Sequence, residues 1–314
     1  EEQVRQQIEG TLTVPPSKEY LKQEVENILE GCNMILAEIA GGTLPPLSVE
    51  RVKLLNEIVL KKLNPSDDQA VPGQIRSHSV GVMDYRGAPA EDCEHLVGRL
   101  CAWLNGMSFP EEQETVGAII KAILAHLYLA WIHPFGDGNG RTARLLEVQI
   151  LLGSGVPSPA AQLLSNHYNQ TRSEYYRQLS RASKSGGNVI PFLEYAVQGF
   201  RDGLREQIAH VQSLQWEIAW QAYVHETFQH RTSEADNRRM RLMLEVSTRP
   251  VETAIELIPT LPGLVADYHS KTAKTLSRDV NALQQLGLLS KHGNNVRARK
   301  EVMLAFLPTR LRKP

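Results

Sequence analysis

From Val116 to Ile132 the chain is almost unbroken apolar sequence, interrupted by Lys121 and His126. A helix that is apolar on every side cannot face water and must be wrapped by other elements. The two polar interruptions count against a membrane span. We therefore read a central buried helix, with His126 as a hydrogen-bonded core histidine. This demand selects a mainly α fold, because the surrounding segments also repeat apolar residues every three or four positions. Tyr20 to Ala40 does so and stops at Gly41-Gly42. Val49 to Leu63 follows the Pro45-Pro46 break, with Ser48 as N-cap. Further helical patterns cover 91–106, 111–132, 141–155, 171–187 and 189–228. The stretch from Asn64 to Asp92 breaks the pattern. It is rich in Gly, Pro and Asp with short β-branched pieces, and predicts a small hairpin or extended flap near Ile75 to Tyr85. Gln229 to Arg239 reads as a linker. Beyond it, His269 to Leu289 has the helix, glycine break and apolar strand of a winged helix-turn-helix, with Ser290 to Lys300 as its wing. The expected organisation is N-terminal helices over 1–70, a central domain with flap over 71–232 and a winged helix over 233–314.

Composition bounds the function. With 42% hydrophobic and 22% charged residues, the 314-residue chain can bury a real core. Its formal net charge of −1 excludes a whole-chain polycation built for nucleic acid or membrane. The charge is uneven, however. Residues 269–314 carry ten basic residues against two acids, a net of plus eight. Cys32, Cys93 and Cys101 form no CxxC pair and read as reduced thiols of a cytoplasmic protein.

The chemistry is concentrated just after the apolar helix, in WIHPFGDGNGRTAR, Trp131 to Arg144. Gly136, Gly138 and Gly140 allow a tight turn and close approach of a ligand. Such a turn aims several N–H groups into one concavity, and the helix opening near Asn139 adds its positive end. Arg141 and Arg144, three apart, share one side of that helix's first turn and present forks suited to phosphate oxygens. Asp137 among these cations suits Mg²⁺, which favours one or two carboxylates plus phosphate oxygens and water. His133, neutral, is placed to take a proton from an attacking hydroxyl. The parts together suggest transfer from a Mg-bound nucleotide to a hydroxyl. The bland alternative is a glycine turn in which Asp137 and Arg141 merely pair. A P-loop is excluded, because Phe135 replaces its first Gly and Arg141 its Lys. An EF-hand fails because Thr142 and Val148 stand where Gly and Glu are required.

The run from His133 to Arg144 resembles the Fic family signature at every defining position, and the likeness extends over roughly Ile8 to Phe200. It implies a Fic-type helical bundle with a β-hairpin flap and transfer of AMP from ATP to a Ser, Thr or Tyr hydroxyl of a target protein. By the same resemblance His133 is the general base and Asp137 the Mg²⁺ ligand. Gly138, Asn139, Gly140, Arg141, Thr142, Ala143 and Arg144 then surround the phosphates. Ser79 to Tyr85 resembles the family's flap, with Val80, Gly81, Val82 and Met83 along the edge that covers the nucleotide and aligns the target. Tyr175 and Tyr176 resemble a tyrosine pair near the adenine pocket, although periodicity alone reads them as buried aromatics. Ile8 to Thr11 resembles an inhibitory helix whose Glu9 pairs with Arg144, with Arg5 standing where the family has Ser or Thr. Two other readings stay open: a DNA-binding regulator whose Fic-like domain senses nucleotide, and removal of AMP from modified protein. Besides a target protein, the partners left open are a second copy of the chain and DNA at the winged helix. No membrane partner is expected.

Overall fold

The computed structural model describes residues 19–82 and 85–305. They divide into two compact units that meet between Glu206 and Gln207. In the first unit, helices α1 (Glu19–Ala40), α2 (Val49–Leu60), α3 (Cys93–Gly106), α4 (Glu114–Ile132) and α5 (Asn139–Gly153) share one core with α6 (Ser158–Ala161), α7 (Leu163–Gln170), α8 (Arg172–Lys184) and the start of α9 (Ile190–Phe228). Ser48 caps α2, accepting a hydrogen bond from the Arg51 amide at 3.1 Å.

Helix α4 is the apolar run. By length and composition it could cross a membrane, yet Ala122–Leu127 are six consecutive buried residues, which covers every face of the helix. It packs most extensively against α5, itself buried from Leu145 to Leu152. Fully buried leucines here, such as Leu127, Leu129 and Leu145, each contribute about 1.5–3 kcal/mol. His126 sits inside this core, fully buried. Its Nε2 meets the Tyr175 hydroxyl at 2.8 Å, and its Nδ1 lies 3.1 Å from the Glu147 carboxylate. Glu147 in turn accepts from the Tyr168 hydroxyl at 3.0 Å. Burial, together with the Glu147 charge, pushes the Tyr168 hydroxyl well above its ordinary pKa.

The hairpin is shorter than the predicted 75–85. Strands β1 (Gly81–Val82) and β2 (Tyr85–Arg86) pair antiparallel, Gly81 opposite Arg86 and Val82 opposite Tyr85. The Tyr85 hydroxyl donates to the Trp131 carbonyl at 2.6 Å, which ties the hairpin to the last turn of α4.

The second unit takes Trp220, Val224 and Phe228 from the end of α9 into a core with α10 (Glu234–Ser247) and α12 (Ala273–Gln285). The expected linker 229–239 is thus half helical: Ser233 caps α10 by accepting from the Asp236 amide at 3.1 Å. Polar residues on the exposed turns of α10 mask its start in sequence. After it come β3 (Thr253–Ala254), α11 (Val265–Tyr268), α12, and the hairpin β4 (Leu289–His292) and β5 (Asn295–Ala298). The antiparallel sheet runs β3-β5-β4. Buried Asp279 of α12 accepts from Arg238 Nε and Arg239 Nε, both at 2.8 Å, and from the Tyr268 hydroxyl at 3.1 Å. That network locks α12 against α10 and α11.

Candidate active site

The C-terminus of α4, the N-terminus of α5, the hairpin and helices α1, α7 and α8 surround a cleft of about 1050 Å³ in the first unit. His133 ends α4 in the left-handed region (φ 52°, ψ 57°), where a non-glycine residue is uncommon and Pro134 cannot continue the helix. Its Nδ1 lies 3.2 Å from the Ala130 carbonyl, so Nδ1 carries the proton and Nε2 is the basic atom. Burial holds the imidazole pKa below the ordinary histidine range. The Ala130 hydrogen bond and Asp137 oppose that shift, and the Arg76 cation reinforces it.

The glycine loop then turns back. A Cβ on Gly136 would fall 2.6 Å from the Ala70 Cβ, so no larger residue fits without moving the loop. Gly138 adopts φ 78° as the N-cap of α5. Asp137 Oδ2 accepts from the Ser66 amide at 2.8 Å and the Ser66 hydroxyl at 3.0 Å. Asp137 Oδ1 accepts from the Gly138 amide at 2.5 Å and from Arg141 at 3.0 Å. Burial opposes ionisation of this carboxyl, but these amides and the guanidinium outweigh it and hold the pKa below the usual range. Arg141 also donates to Glu24 of α1 at 2.6 Å. The pairing of Asp137 with Arg141 is therefore real, and it stands within a larger cleft rather than in isolation. Arg144 lines the same cleft, as do Val80, Gly81, Gly140, Tyr175 and Tyr176.

Residues 46–151 match the model of the Fic/DOC family. They form a Fic domain. Among curated relatives, the protein adenylyltransferase Fic of Nematostella vectensis is 35% identical over 126 residues, 40% of this chain and 27% of that protein. Protein adenylyltransferase fic-1 of Caenorhabditis elegans is 28% identical over 196 residues, 62% of this chain and 35% of that one. The chain thus spans about a third of the length of these relatives. Among solved structures, a Fic family protein from Desulfovibrio desulfuricans G20 superposes with a TM-score of 0.54 at 20% identity, covering 95% of this chain and 80% of that one. C. elegans Fic-1 (residues 134–508) gives 0.52 at 25% identity, covering 68% and 58%.

The Fic domain does not place every expected residue at the cleft. Thr142 and Ala143 are fully buried on the core side of α5, where the Thr142 hydroxyl donates to the Gly138 carbonyl at 2.9 Å. The reason is helical spacing, which puts 141 and 144 on one face and 142 and 143 on the other. The Asn139 side chain is spent on the loop itself, accepting from the Phe135 amide at 3.0 Å and donating to its carbonyl at 2.8 Å. What Asn139 can offer an anion is its backbone N–H at the helix start. Glu9 and Met83 lie outside the described residues, and Val82 is placed as a strand residue only.

Four organisers of the Fic domain carry no local sequence signal. Arg76, only 5% exposed, donates through Nε to the His133 carbonyl at 2.7 Å and through its terminal nitrogens to His78 and Ala88 carbonyls at 2.6 and 2.5 Å. Buried Asn56 donates to the Asp137 carbonyl at 3.0 Å and to Thr142 Oγ1 at 3.1 Å, while accepting from the Gly73 amide at 3.0 Å. Ser66 and Glu24 complete the set. A buried arginine or asparagine outside any motif is the one hint the sequence holds.

Proposed function

We propose that this protein is an adenylyltransferase that moves AMP from ATP to a Ser, Thr or Tyr hydroxyl of a target protein. The carrying observation is His133: it lines the cleft, donates its Nδ1 proton to the Ala130 carbonyl, and is kept neutral by burial. A domain that only sensed nucleotide would not need this base. In the step, Nε2 takes the proton of the target hydroxyl. The hydroxyl oxygen attacks the α-phosphorus in line, the bond to the α–β bridging oxygen breaks, and pyrophosphate leaves. The N–H groups at the start of α5 receive phosphate oxygens, and Arg141 and Arg144 neutralise charge on the departing pyrophosphate. For that, an incoming phosphate must compete with Glu24 for Arg141. The loop's single ionised carboxylate among phosphate-binding groups fits Mg²⁺, so Asp137 would hold it. The bound ion would add charge neutralisation at the leaving group. Tyr175, fixed by His126, and Tyr176 are assigned to the base, and Val80 and Gly81 to the flap over the nucleotide.

Glu9 is assigned as a brake, because a carboxylate paired with Arg144 competes directly with the γ-phosphate for the same fork. The second unit is assigned as a winged helix, supported by its helix, strand, two helices and hairpin in that order. A cytoplasmic location is assigned with it.

The test is incubation with Mg²⁺ and ATP labelled on the α-phosphate. Wild type should label itself or a target weakly, His133→Ala should label at only a small residual rate, and Glu9→Gly should label strongly. Equal labelling with and without His133 sinks the transfer mechanism. An unchanged Glu9→Gly sinks the brake alone. Gly136→Ala is expected to lower the transfer rate by up to about 10²-fold, because the loop must move away from Ala70 and misplaces the base and the phosphates together. A rate within twofold of wild type would show that the loop tolerates the shift.

A further inference from the structure

We propose that the second unit binds double-stranded DNA, with α12 in the major groove and the β4–β5 hairpin against the phosphate backbone. The argument starts from charge. Residues 1–268 hold 24 basic and 33 acidic residues, whereas 269–305 hold seven basic residues and two acids. Of those two acids, Asp279 is buried and neutralised by Arg238 and Arg239, and Glu301 lies beside Arg297. The basic residues of α12 therefore face solvent with no acid of the same helix among them.

The geometry of α12 sorts its chemistry. Leu276, Asp279, Val280 and Leu283 are buried, while Lys274, Ser277, Arg278, Asn281 and Gln285 are exposed. The exposed set recurs at three- and four-residue spacing and so forms one face. Apart from the small Ala273 at the helix start, the exposed residues include no apolar side chain, which argues against the aromatic or aliphatic anchors of a protein interface. Lys, Arg, Asn and Gln are instead the side chains whose donors and acceptors match base edges in the major groove. A helix of this length is about 20 Å long and fits a groove about 12 Å wide. Among the described residues Lys274, Arg278 and Lys291 have no ion-pair partner, although many other arginines of the chain do. Lys291 lies exposed on β4, two residues before the hairpin tip at Gly293 (φ 60°), where it can meet a phosphate flanking the groove.

The experiment titrates the whole protein against a fluorescently labelled duplex of mixed sequence and follows anisotropy between about 50 and 200 mM salt. Wild type should bind with a Kd of about 10⁻⁶ M or tighter at the low end, weakening steeply as salt rises. Lys274→Gln with Arg278→Gln should weaken binding at least tenfold and reduce the slope of log affinity against log salt by about two. Lys291→Gln, on a different element, should reduce the slope by about one, so the proposal is tested even if the double variant folds poorly. All variants should retain AMP labelling, which separates this surface from the Fic cleft. Absence of binding at low salt, affinities unchanged in both variants, or equal binding of single-stranded RNA of the same length would overturn the proposal.

Discussion

Replacing His133 by alanine is expected to reduce AMP transfer by about 10²–10⁴-fold, the range that general-base catalysis supplies. The pH profile sharpens the expectation. The base works only as neutral imidazole, and burial, assisted by Arg76, places its pKa below the ordinary histidine value of about 6.5. The rate of wild type at subsaturating ATP should therefore rise with pH through that lowered pKa and have passed half of its plateau by about pH 6.5. Below the pKa it should fall tenfold per pH unit, because each unit leaves one tenth of the neutral form. In His133→Ala the residual rate should lose this acidic limb altogether. A variant that keeps both the wild-type rate and the limb would place the base elsewhere in the cleft.

Arg76→Ala is expected to be the most damaging substitution outside the glycine loop. The guanidinium satisfies three carbonyls, those of His78, Ala88 and His133, in a site almost closed to water. Leaving buried acceptors unpaired costs about 1–3 kcal/mol each, so a loss of about 3 kcal/mol or more is expected. For a unit of this size that lowers the melting temperature by about 6–12 °C. Arg76→Lys should recover only part of it, because an ammonium cannot span the three acceptors as the planar fork does. The same change has a chemical readout. Without the Arg76 cation the His133 pKa moves up toward its ordinary value, and the acidic limb of the rate profile moves up with it. A loss under 1 kcal/mol with an unmoved limb would show that Arg76 is incidental to the site.

These two residues mark how far the chain can be read without coordinates. His133 stands at the end of the apolar helix and opens a loop whose glycines, carboxylate and arginines declare an anion site by residue type and spacing. The core position of His126 and the cap at Ser48 were legible for the same reason, since each depends on neighbours within one or two turns. The hairpin was legible in kind but not in extent, because strands of two residues are too short to show alternation. Helix α10 was hidden, its cap at Ser233 lost among polar residues that elsewhere would mark a linker. Thr142 and Ala143, grouped with the phosphate contacts by their place in the motif, turn into the core because the 3.6-residue helical turn carries them to the face opposite Arg141 and Arg144.

The sequence by itself determined the helical class, the buried position of α4 and the chemical content of the loop from His133 to Arg144. Those features follow from local periodicity and from the backbone freedom of glycine, which act over a few residues. Only the tertiary structure decided what holds the loop in shape. Glu24 reaches Arg141 across 117 positions of chain, Asn56 reaches the Asp137 carbonyl across 81, Ser66 reaches the Asp137 carboxylate across 71, and Arg76 reaches the His133 carbonyl across 57. No spacing rule links such pairs. They meet because α1, α2 and the extended segment after α2 pack around one core, and the hydrogen bonds form where that packing brings polar groups out of water together.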